Sequence, residues 1–109
     1  FLGHEHFKDY IFYIGDPAGA SYQDDVSGGV NSILLTIIDS ATGNELEASN
    51  FKLALSSAGL DSAVAGAALD LGLTVGGGSG LAIYVRCDTP AVTAQNVDIS
   101  FKLADLVEI

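Results

Sequence analysis

Two short stretches hold the residue types from which active sites are usually built. Residues 74–88, TVGGGSGLAIYVRCD, set four glycines within five positions ahead of the only cysteine, Cys87. Residues 4–6 are His-Glu-His and contain both histidines of the chain. A glycine run beside a thiol suggests a phosphate-cradling loop with a nucleophile, and paired imidazoles suggest half of a metal site. A phosphate loop, however, needs a lysine after its last glycine and a helix beyond it. After Gly80 the chain reads LAIYVRCD, with no lysine and with the period of a strand. Glycines between two strands need only supply positive φ and a tight reversal.

In that strand Cys87 shares a face with Leu81, Ile83 and Val85. A thiol in such a register is a small buried hydrophobe. An extended His4-Glu5-His6 puts both imidazoles on one side, with Asp9 as a further ligand. With no third histidine and no cysteine pair, a solvated or partner-docked arm is the better reading than structural zinc. The carboxylates at Asp24-Asp25 and at Asp39, Glu45 and Glu47 lack the density of a DxDxDG calcium loop. Asp39 reads instead as a turn-initiating side chain. Nothing singles out two carboxylates as an acid–base pair. The expectation is a protein that is not an enzyme, with no catalytic, cofactor or metal residues.

Charge narrows the partners. Fourteen acidic residues stand against four basic ones, for a formal net charge of -10. Nucleic acid and anionic membrane surfaces both demand clustered Lys and Arg, whereas Lys8, Lys52, Arg86 and Lys102 are scattered. The acidity favours solubility, a salty medium or a basic partner surface. No apolar run approaches the ~20 residues that span a bilayer. The opening FLGHEHFKDYIFYIGD carries too many polar residues for a signal h-region or a pilin-type helix, and its start at Phe1 fits a segment that is processed, truncated or built without its first residues.

The elements that would position any site are strands. At 109 residues the chain has the size of one domain, and nearly half of it is apolar. FKLALSS, ALDLGLTV, LAIYVRCD and NVDISFKLADLVEI each alternate apolar and polar positions, as sheets with one solvated face do. VNSILLTII (30–38) is nearly continuous and β-branched, which predicts a central strand covered on both faces. YIFYI predicts an early strand ended by Asp16-Pro17-Ala18-Gly19. DSATGNELEA reads as a hairpin loop, SYQDDVSGG as a connecting loop, and SSAGLDSAVAGAAL as a loop with at most a short turn. The sum is an all-β fold: one compact antiparallel β-sandwich, jelly-roll or immunoglobulin-like, of six to eight strands. Residues 1–22 form an N-terminal arm or first strand, and 23–109 the sandwich domain.

Aromatic residues concentrate in FKDYIFYIGDPAGASY: Phe7, Tyr10, Phe12, Tyr13 and Tyr22. Both faces of that segment carry bulky groups, so these five are the partner-contact candidates. The competing reading buries the segment between the sandwich and its own loops.

The order IGDPAGAS, ILLTIID, FKLALSSAG, AGAALDLGL, GGGSGLAIYVRCD and TAQNVDISFKLAD resembles that of small cement proteins on the heads of tailed, podovirus-type bacteriophages. Leu69, Leu71, Leu73, Leu81, Ile83, Val85, Arg86, Thr93, Ala94 and Val97 carry the resemblance, which spans residues 10–107. It implies a jelly-roll-like, multi-copy structural protein on the capsid exterior of a virion. Its partners would be the major capsid protein and copies of itself, with no small-molecule substrate. The acidity departs from the family pattern. The alternatives are an extracellular filament subunit joined by strand donation, and a carbohydrate-binding module that presents Tyr84.

Overall fold

Alternating runs become strands where a second run of the same period lies alongside, because only then are backbone groups paired and one face buried. The computed structural model describes residues 7–25, 30–39, 48–76, 78, 80–88 and 99–109. Within them lie nine strands: β1 (Phe7–Ile14), β2 (Ser21–Asp24), β3 (Leu34–Asp39), β4 (Phe51–Ala54), β5 (Leu69–Asp70), β6 (Thr74–Gly76), β7 (Leu81–Asp88), β8 (Ile99–Leu103) and β9 (Leu106–Glu108). Short 3-10 turns occupy Ala48–Asn50 and Ala58–Asp61, the second carrying the fully buried Leu60. The chain is all-β, as its periodicity predicts.

The strands form three small antiparallel sheets, ordered β1-β7-β4, β6-β2-β9 and β5-β3-β8. The second and third are flanked by the same two chain segments. Backbone bonds continue their ladders past the strand ends: Leu71 N–H to Ile33 O, Ile33 N–H to Gly72 O, Ala104 N–H to Leu34 O, and Asp25 N–H to Asp105 O. The first three lengthen the ladders of the third sheet and the last lengthens the β2–β9 ladder of the second. The first sheet meets the third at Phe101, whose ring stacks on Phe12 at 5.7 Å and meets Phe51 edge-on at 6.2 Å. Ile33, Leu35, Ile37, Phe51, Leu53, Leu71, Val75, Ile83, Val85 and Cys87 form the buried core cluster.

Several sequence expectations are corrected, each for a reason of local geometry. ALDLGLTV is not one strand. The Asp70 carboxylate accepts the Gly72 N–H at 2.8 Å, and Gly72 takes φ +90°, so the chain bends and β5 and β6 serve different sheets. Leu71 and Val75 stay buried, while Leu73, at the bend, is half exposed. NVDISFKLADLVEI divides in the same way into β8 and β9. Ser21–Asp24, expected in a loop, is the middle strand of the second sheet, where Tyr22 packs on the core. The run 30–38 is covered on one face only: Ile33, Leu35 and Ile37 are buried, but Leu34 remains 43 % exposed. Leu55 falls beyond β4 and is exposed, whereas Ala54 is buried. The loop expected over 39–48 lies outside the described residues except for Asp39, which ends β3, and Ala48, which opens a 3-10 turn; the positions Thr93, Ala94 and Val97 also lie outside them.

Candidate interaction site

The aromatic segment is a strand within the fold. All eight residues of β1 pair with β7, from Phe7 opposite Asp88 to Ile14 opposite Leu81. On the other side of β1 no strand is paired among the described residues, so alternate backbone N–H and C=O groups face outward. Period two sends Phe12 and Ile14 onto the core and Asp9, Ile11 and Tyr13 to the opposite face. Tyr10 lies in the inward register but stays 53 % exposed. Ile11 and Tyr13 are 50 % and 68 % exposed. The edge thus presents three large side chains beside backbone that no described strand pairs.

Of the five candidates, Tyr10 and Tyr13 are therefore on the surface. Phe12 stacks on Phe101, and Tyr22 packs on the core, so both are engaged inside the fold. For Phe7 only the backbone is described. Ile11 belongs to the exposed group and was not among the candidates. The signal for it was present: once Phe12 and Ile14 face inward, residues 11 and 13 must face out.

The same outer face is fastened by charge. Arg86, in the middle strand β7, stands opposite Asp9 on β1 and Lys52 on β4. Its Nε donates to Asp9 Oδ1 at 2.8 Å and its Nη2 to Asp9 Oδ2 at 3.1 Å, a forked pair. Its Nη1 donates to Asp61 Oδ1 at 2.9 Å. The hydrogen bond from Arg86 is the main cause holding the Asp9 carboxyl below its usual range. Two carboxylates on one guanidinium offset the like charge of Lys52 across the ladder. The network ties β1 to β7 and to the turn at Asp61 beside the exposed Ile11 and Tyr13. Tyr84, opposite Ile11 and Ala54, is half buried on this face.

The glycine run turns the chain from β6 to β7. Gly76, Gly78 and Gly80 all adopt positive φ. Cys87 faces the core, and burial is the main cause raising its thiol pKa, with Asp88 adding to it. Burial also blocks reagents, so alkylation of Cys87 in the native protein should run roughly 100-fold or more slower than in denaturant. Timed iodoacetamide labelling followed by mass spectrometry checks this; native labelling at the unfolded rate would place the thiol outside the core.

His4 and His6 lie outside the described residues. Among the described residues no three His, Cys, Asp or Glu side chains converge as metal ligands, and no helix is long and apolar enough to cross a membrane. Comparison with protein-family models, with curated proteins and with solved structures finds no significant match.

Proposed function

We propose that this chain is a non-enzymatic structural protein of a virion, which decorates the outer capsid surface and reinforces contacts between major capsid proteins. The observation that carries the reading is the edge of β1 that no described strand covers, with Tyr10, Ile11 and Tyr13 exposed along it. Tyrosine and unpaired strand backbone are the groups through which protein surfaces bind one another, the first by area and the second by hydrogen bonding. The resemblance of the order of sequence motifs to that of phage cement proteins supports the same reading. A binder that engages only the assembled shell stabilises it by mass action, and a chain of net charge -10 favours a basic receptor surface.

The free edge also suits the filament reading, in which a neighbouring subunit donates a strand to it. Negative-stain images of the native source material separate the two: decorated heads support the capsid reading, and fibres support the filament. Truncation is a poor test of the edge, because it would strip Phe12 and Ile14 from the core. The double substitution Ile11→Glu, Tyr13→Glu leaves the core side chains in place. It should lower occupancy on purified particles about tenfold or more in co-sedimentation, since two central interface side chains are replaced by charge. Unchanged occupancy by the folded variant would remove β1 as the docking edge.

A further inference from the structure

A second feature of the surface draws on β1 only through Ile14, whose side chain faces inward, and on none of Tyr10, Ile11 and Tyr13. Between the Asp16–Gly19 turn and strands β2, β6 and β9 lies a cleft of about 350 Å³. Its apolar wall includes Ile14, Pro17, Val75 and Leu106, and its polar groups include Asp16 and Tyr22. The Asp16 carboxylate is held from two sides: Oδ1 accepts the Ala18 N–H at 2.8 Å, and Oδ2 accepts the Tyr22 hydroxyl. Each oxygen keeps a further lone pair for an outside donor. Glu108 stands opposite Tyr22 in the β2–β9 ladder and is exposed, adding negative charge beside the tyrosine. None of the four basic side chains of the protein lines the cleft.

An apolar wall beneath a fixed carboxylate matches one kind of side chain. Lysine and arginine lay their methylene stems on apolar surface while the cationic head seeks an anion. We propose that this cleft receives a lysine or arginine side chain of a protein partner, its stem against Ile14, Val75 and Leu106 and its cation donating to Asp16. An anionic ligand would meet the field of Asp16 and Glu108. A purely apolar ligand would leave the oriented carboxylate unused. The charge of -10 brings basic partners to this surface.

The test uses the isolated protein and an acetylated, amidated Gly-Ser peptide with one central lysine. In a titration followed by amide NMR shifts, changes should centre on Gly15, Tyr22, Gly76 and Leu106. Replacing the lysine with norleucine, or making Asp16→Asn, should each weaken binding about tenfold, the range for loss of a charge-assisted hydrogen bond. Asparagine still accepts the Ala18 N–H, so the turn is kept. The norleucine comparison uses the unaltered protein and does not depend on the variant folding. Equal affinity for the norleucine peptide, shifts scattered over the acidic surface, or no shifts at millimolar peptide would overturn the assignment. Any of those results would leave the β1 co-sedimentation test untouched, because the cleft does not rest on the assembly reading.

Discussion

Gly76→Ala is expected to destabilise the fold by about 3 kcal/mol or more, from backbone strain and overpacking together. A Cβ on Gly76 would lie 2.3 Å from the Ala20 carbonyl oxygen and 3.1 Å from the Ser21 Cα, and φ is +112°. Neither neighbour is the tip of a flexible side chain. Both belong to the backbone entering β2, and Ser21 is the ladder partner of Gly76. Relief would require β2 to move away from β6, opening the second sheet at its middle strand. Gly72→Ala is the control. There φ is +90° but no atom lies within 4 Å of the added carbon, so only the conformational term remains, about 1 kcal/mol. Urea denaturation of the two variants should show a much larger midpoint shift at position 76. Equal shifts would mean that the close approach to Ala20 does not exist.

Ile83→Ala should cost about 3–4 kcal/mol, the range for emptying a fully enclosed aliphatic site. Ile83 has no exposed surface and lies in β7, the middle strand of the first sheet, opposite Phe12 on β1. Its ladder to β1 and the β4 ladder that ends at the adjacent Tyr84 hold the surroundings in place, so they cannot collapse into the space. Tyr13→Ala, on the same sheet but 68 % exposed, should change stability by only about 0.5 kcal/mol. The pair separates fold from docking. Ile83→Ala should lower the denaturation midpoint and leave particle attachment in proportion to the folded fraction. Tyr13→Ala should leave the midpoint and reduce attachment. If Tyr13→Ala proves the more destabilising, the inward and outward faces of this sheet are reversed.

Much of the fold was legible because alternation is written locally. LAIYVRCD announced its buried face residue by residue, and Ile83, Val85 and Cys87 are buried as their register requires. SSAGLDSAVAGAAL was legible as a loop because its glycines weaken a helix, and the structure places only the short turn Ala58–Asp61 there. The divided strands were less legible. A bend at Gly72 leaves the alternation of Leu69, Leu71, Leu73 and Val75 intact on paper while sending its two halves to different sheets. SYQD looked like loop because a short strand that turns one large side chain inward has no apolar period to display.

The candidate site was half legible. Aromatic density drew attention to residues 7–22, and Tyr10 and Tyr13 are exposed there. The same density hid a division of labour, since Phe12 and Tyr22 work inside the fold and the aliphatic Ile11 joins the surface.

By itself the sequence determined the all-β class, the inward face of β7, and the conversion of the glycine run and its cysteine from a catalytic candidate into a turn and a core position. These follow from backbone geometry that acts over a few residues. Only the tertiary structure decided which strand lies beside which. Among the described residues that choice leaves β1 at the edge of its sheet, brings Asp9 to Arg86 across 77 residues, and sets Glu108 opposite Tyr22 beside the Asp16 turn. Such pairings depend on how all the apolar faces are buried together, and no short window of sequence contains that information.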